Sequence, residues 1–224
     1  MGEGRVMASE TMEPLRITGR MHGLMIEPER PIALDGILAW AIVERARMEG
    51  AEDPLEAQES LPLAFDADRS VWKASWIFRR YESPLQTRQQ TKKTDVPALL
   101  DGRNAGHWEG RVDAIATGTG MYKGAVLDRT YRQISEVSAW CIGNRERIEE
   151  LLGMVNGLGS LRRQGFGRIS GWAVESDPEA ENQWSQRALP NNPGGFLRST
   201  GALSPPYWRQ DRVQPIWTPM TDQL

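Results

Sequence analysis

Residues 15–22 alternate in polarity. Leu15, Ile17, Gly19 and Met21 take one set of positions, and Arg16, Thr18, Arg20 and His22 take the other. A period of two sends the two sets to opposite faces of an extended chain, so a half-buried strand is predicted here. The period then changes. Asp35 precedes Gly36-Ile37-Leu38-Ala39-Trp40-Ala41-Ile42-Val43, and Leu38, Ala41, Ile42 and Arg45 recur at helical spacing. This predicts a helix over 36–48 with the Asp35 carboxylate as its N-cap. Residues 49–68 are acidic and carry Pro54 and Pro62, which reads as a loop.

Residues 70–81 are rich in aromatic and β-branched side chains and predict a second strand. The stretch 82–107 is polar, with Pro84, Pro97, Gly102 and Gly106, and reads as an arm that leaves the core, in the form of a hairpin or an extension. Strand-like pieces resume at 108–116, 121–133 and 134–142. Asn144 is placed to cap a second helix, in which Ile148, Leu151, Leu152 and Val155 form one apolar stripe. Gly157 stands where a left-handed C′ glycine would end it. A last strand follows at 167–175. The order strand, helix, strands, helix, strand predicts an α+β, ferredoxin-like (RRM-like) β-α-β-β-α-β domain.

The expected organisation is a disordered leader at 1–13, the domain at 14–175 with its arm at 82–107, and a C-terminal extension at 176–224. That extension holds seven of the fourteen prolines together with Trp184, Phe196, Tyr207, Trp208 and Trp217. So many aromatics predict an ordered, irregular wrap packed on the domain or on a partner.

The chain has 224 residues, a net charge of −3 and one cysteine, Cys141, so it forms no internal disulfide, as suits a reducing cytoplasm. No apolar run is long enough to span a membrane. One cysteine and two histidines, His22 and His107, make no zinc set, and no cofactor is expected. The small net charge hides segregation. Residues 27–68 carry 11 acidic against 3 basic side chains, and residues 69–93 carry 7 basic side chains against Glu82 alone. Local fields follow such blocks more than the total does. The same blocks also suit a solvated acidic helix beside a solvated basic loop.

The chemistry concentrates at Gly157-Leu158-Gly159-Ser160-Leu161-Arg162-Arg163-Gln164-Gly165-Phe166-Gly167, followed by Arg168. Glycine admits positive φ and lets a second backbone approach, and the arginine pair offers guanidinium forks, so the stretch suits a phosphate cradle. It lacks the Gly-Lys-Ser/Thr of a Walker loop, and Arg162 stands where a dinucleotide fingerprint needs its third glycine. The same composition also suits a helix cap followed by a tight hairpin.

Two Gly-apolar-Gly clips separated by five residues, between the last helix and last strand, resemble the glycine-rich loop of the RAMP superfamily, the RNA-binding subunits of CRISPR effector complexes. Leu34-Asp35-Gly36 with the helix start after it, Arg187-Ala188-Leu189-Pro190 and Pro205-Pro206-Tyr207-Trp208 resemble the Cas-five-type subunit of type IV complexes. That resemblance implies a non-catalytic subunit that grips the 5′ handle of the guide RNA (crRNA) and caps the filament of backbone subunits. It would also dock the large subunit and lie near target DNA.

On this reading Arg162, Arg163 and Arg168 hold phosphates, and Gly157, Gly159, Gly165 and Gly167 allow close approach. Gln164 reads a base edge and Phe166 stacks a base, with Trp72, Trp76 and Phe78 as further stacking candidates that suit a core equally well. In the arm, Arg88, Lys92 and Lys93 occupy the place of a thumb-like extension that contacts the guide. Some RAMP proteins cleave precursor RNA without metal, and His22, Tyr122 and Lys123 would form the catalytic set of such an endoribonuclease. The remaining alternative is a ferredoxin-like protein-interaction module that binds no RNA.

Overall fold

The computed structural model describes residues 11–92, 95–106 and 123–221. In chain order the elements are β1 (Glu13–His22), β2 (Leu24–Ile26), α1 (Leu34–Met48), β3 (Phe65–Asp66), β4 (Val71–Trp72), β5 (Phe78–Tyr81), β6 (Gln86–Lys92), α2 (Val96–Asn104), β7 (Ala125–Gly143), α3 (Arg145–Leu152), β8 (Arg168–Ser176), α4 (Ala180–Gln183), β9 (Leu197–Gly201) and β10 (Gln214–Thr218). The chain divides into two compact units, one of residues 1–84 and 132–224 and the other of residues 85–131.

The first unit is mixed α/β, with a curled antiparallel sheet and few helices. β1 lies between β7 and β8, and β5 pairs with β7 on the side away from β1. The predicted alternation in β1 is what the sheet uses. Leu15 and Ile17 are fully buried, opposite Cys141 and Ala139 of β7, and they share one core with Leu38 and Ile42 of α1 and Ile148, Leu151 and Leu152 of α3. Gly19 stands in this row because a Cβ there would come within 2.6 Å of the Trp172 ring. Burial of Cys141 pushes its thiol pKa up, so the thiol stays protonated.

A second core forms on the other face of β7. Trp140 and Ile142 pack with Trp76 and Phe78, and the C-terminal segment adds Trp184, Leu189, Leu203 and Ile216. Phe78 and Trp140 meet edge to face at 5.5 Å. Trp76 and Phe78 are therefore core residues rather than a stacking platform, and Trp72 is half-buried against Phe65. β9 and β10 form a hairpin within the same segment.

Three local expectations change. The run 70–81 is two short strands, β4 and β5, because Ser75 Oγ accepts the Trp140 N–H at 2.9 Å and Trp76 donates to the Gln186 carbonyl, so the ladder is broken between them. Residues 125–143 are one strand rather than two. Helix α3 begins at the predicted cap, with Asn144 Oδ1 accepting the Arg147 N–H at 3.0 Å, and ends at Leu152. Gly157 has no positive φ and is not the helix terminator; it forms an antiparallel bridge with Arg168. The piece predicted at 108–116 lies outside the described residues.

In the second unit, β6 pairs with the first part of β7 from Gln86↔Tyr131 to Lys92↔Ala125, and α2 is capped by Asp95.

Candidate functional site

The glycine loop is closed at its base by backbone alone. Leu158 N–H donates to the Gly167 carbonyl, Ile169 to the Asn156 carbonyl, and Gly167 to the Leu24 carbonyl of β2. Gly167 has φ +65°, and a Cβ on it would fall 1.9 Å from the Leu158 oxygen, so the base closes only with glycine there. At the tip a 3-10 turn, Arg162–Gln164, is framed by left-handed Leu161 (φ 57°) and Gly165 (φ 89°). Leu158 is buried and anchors the loop, while Phe166 is half-buried.

This backbone leaves donors unspent. Among the described residues, no group accepts a hydrogen bond from the N–H of Gly159, Ser160, Leu161, Arg162 or Arg163. Backbone N–H groups of a turn that have no protein acceptor are donors that an anion can use. The side chains of Arg162, Arg163, Gln164 and Arg168 are exposed, and Arg163 and Arg168 have no ion-pair or hydrogen-bond partner among the described residues. Arg162 differs. Its guanidinium lies 5.3 Å from the Trp40 ring centroid and Nη1 donates to the Gly157 carbonyl at 3.5 Å.

His22 ends β1, exposed, with Arg168 as its cross-strand partner. Lys123 is exposed and belongs to the second unit, and Tyr122 and His107 lie outside the described residues. Arg88 is exposed on β6, directly opposite Arg129 of β7; Lys92 ends β6, and Lys93 lies outside the described residues.

Three of the seven basic side chains of the run 69–93 are paired locally. Arg69 pairs with Asp66, Arg80 with Glu136, and the nearly buried Arg79 with Glu27 at 2.8 Å. Arg132 stacks on Tyr81 at 4.3 Å. Within the first unit, Arg69, Arg79 and Arg80 of the sequence block are thus each paired with a carboxylate.

Asp35 is not the helix cap. It is fully buried inside the first turn of α1, whose N-cap is Ala33. Its Oδ2 accepts from Arg187 Nη1 at 3.1 Å and its Oδ1 from the Tyr207 hydroxyl at 2.7 Å. Arg187 also donates to the carbonyls of Trp72, Ala74, Ala188 and Leu203. Burial pushes the Tyr207 hydroxyl well above its usual pKa, and the adjacent Asp35 charge raises it further. Burial by itself would lower the Arg187 pKa, but Asp35 and Tyr207 outweigh it and hold the guanidinium above its ordinary value. The three segments that carried the narrower resemblance thus converge on one buried cluster, which ties the C-terminal segment to α1.

A groove of about 690 Å³ opens beside the loop, within the first unit. Gly157, Leu158, Gly159 and Arg162 form one wall, α1 contributes Gly36, Ile37 and Trp40, and the β9–β10 hairpin forms the far side. Sequence reasoning missed Trp40 and Arg30 here. Trp40 was visible as the aromatic that falls off the Leu38, Ala41, Ile42 stripe of its helix. Among the described residues, no group of acidic, histidine or cysteine side chains could hold a metal ion, and no helix is long and apolar enough to cross a membrane.

An antiparallel sheet backed by α1 and α3, with an exposed cationic glycine loop at the mouth of a groove, defines a mixed α/β protein. Residues 13–219 match the family described as CRISPR type IV associated protein Csf3, and the chain belongs to that family. It is therefore a component of a type IV CRISPR system, which works as a complex with other Cas proteins. No curated protein matches the chain.

Proposed function

We propose that the chain is a non-catalytic, guide-RNA-binding subunit of the type IV complex, which grips the 5′ handle of the crRNA and caps the filament of backbone subunits. The observation that carries this reading is the loop from Gly159 to Arg168, where acceptorless N–H groups adjoin the unpaired cations Arg163 and Arg168. Phosphate contacts position an RNA without reading its sequence, and a fixed end needs that kind of contact. The strand order β8–β1–β7–β5, with α1 after β1 and α3 before β8, favours a ferredoxin-like plan of the RAMP kind. Arg88 and Lys92 would add contacts from the second unit, and backbone subunits, the large subunit and target DNA would be neighbours in the complex.

The surroundings of His22 favour a grip over a cleavage site. Metal-free cleavage needs a general acid beside the base. The residue across the ladder is Arg168, a guanidinium suited to holding a phosphate.

Affinity for single-stranded RNA carrying the cognate 5′ handle, measured between 50 and 200 mM salt, tests the proposal. Replacing Arg163 and Arg168 by alanine is expected to weaken binding at least about 10-fold at low salt. It is also expected to flatten the slope of log K against log salt by about 1.4, since each phosphate contact to a single strand contributes about 0.7. Unchanged affinity and slope would place the RNA elsewhere.

A further inference from the structure

We infer that the groove between the glycine loop, Trp40 and the β9–β10 hairpin takes one unstacked nucleobase of the RNA whose phosphate sits on the loop. The inference rests on the phosphate reading above and adds a site to it. At about 690 Å³ the groove is in the range of small-ligand sites, and its depth is lined by apolar side chains such as Ile37, Trp76 and Ile216. Its edge carries the Trp40 ring and the cations Arg30 and Arg162, with the carboxylate of Glu29 beside Arg30. Trp40 is 39% exposed, and Arg30 is exposed with no partner among the described residues. An apolar peptide would have no use for these cations, whereas a nucleotide uses both the ring and the charge. Gly159 and Arg162 belong to the groove and the loop at once, so base and phosphate positions are contiguous.

Arg162 gives the site its working part. In the free protein its guanidinium covers the Trp40 ring, held otherwise by one hydrogen bond of 3.5 Å. An exposed cation–π contact is worth about 2–5-fold, and a base stacked on an aromatic ring about 5–150-fold. A base arriving at Trp40 therefore displaces the guanidinium, which turns to the phosphate and makes a charge-assisted hydrogen bond. Arg162 is a placeholder on the stacking surface until RNA arrives.

The experiment is an abasic walk along the handle RNA, read by fluorescence anisotropy, with wild-type protein and with Trp40→Ala and Trp40→Phe. One position is expected to be sensitive, losing about 5–150-fold when its base is removed. Trp40→Ala should lose a similar factor and become indifferent to base removal at that position, while Trp40→Phe keeps part of the sensitivity. 2-Aminopurine at that position should be quenched on binding to the wild-type protein and not to Trp40→Ala. If no position is sensitive, or if the sensitivity survives in Trp40→Ala, the base site is wrong. Salt-dependent binding that still depends on Arg163 and Arg168 would then leave the phosphate reading standing. If the RNA does not bind at all, both fall. The walk varies the RNA against unaltered protein, so it decides the matter even if a Trp40 variant folds poorly.

Discussion

Asp35 and Arg187 are both almost wholly out of water, at 0% and 1% exposure, and their charges face each other at 3.1 Å. A buried pair costs several kcal/mol of desolvation per ion and holds only if the remaining donors and acceptors are satisfied. Here they are: the guanidinium reaches four carbonyls besides Asp35, and Tyr207 occupies the other carboxylate oxygen. Arg187→Met would leave the Asp35 charge buried and unpaired. We expect a loss of about 3–5 kcal/mol in chemical denaturation, with part of it recovered when Asp35→Leu is added. A single-variant loss below about 1 kcal/mol would show that water reaches the site. None of this was legible locally. An aspartate before an apolar helical pattern reads as a cap, and its true partner lies 152 residues away. The sequence did mark Leu34-Asp35-Gly36, Arg187 and Tyr207 as belonging together through a resemblance, and the physical tie between them is this cluster.

At the scale of elements, legibility follows how local the forces are. β1 was readable because its period-two pattern meets a buried face on one side only, and α3 because four apolar residues share a stripe and Asn144 caps it. The end of α3 was not readable. Residues 156–158 leave the helix early because 167–169 offer them a ladder, which is a tertiary contact invisible to spacing. The loop itself was found by its glycines, but their roles differ. Gly165 has φ +89° and open space around its Cβ position, whereas Gly167 has φ +65° and a backbone oxygen in the way. Gly167→Ala is therefore expected to cost about 1–3 kcal/mol and to weaken RNA binding, with Gly165→Ala milder on both counts. Thermal melts and binding of the two variants side by side check the ranking, and equal effects would mean that the loop base is not closed as described.

Over the whole molecule, a net charge of −3 is no obstacle to holding RNA if the cations are placed and unspent. Sequence blocks misled on this point. The basic run from Arg69 to Lys93 loses Arg69, Arg79 and Arg80 to carboxylates, while the loop, with fewer cations, keeps Arg163 and Arg168 unpaired. In the second unit Arg88 and Arg129 face each other without intervening acid, a like-charge pair that an anion would relieve. Membership of the type IV family sets the complex in which these groups work, and the central claim is that the glycine loop is where the guide is held. The most direct test is photocrosslinking of handle RNA carrying 4-thiouridine to the assembled complex, with the attached peptides of this subunit mapped by mass spectrometry. Crosslinks are expected within 157–168 and at Trp40, and they should disappear in Arg163→Ala/Arg168→Ala; crosslinks confined to other segments, or unchanged in that variant, would contradict the account.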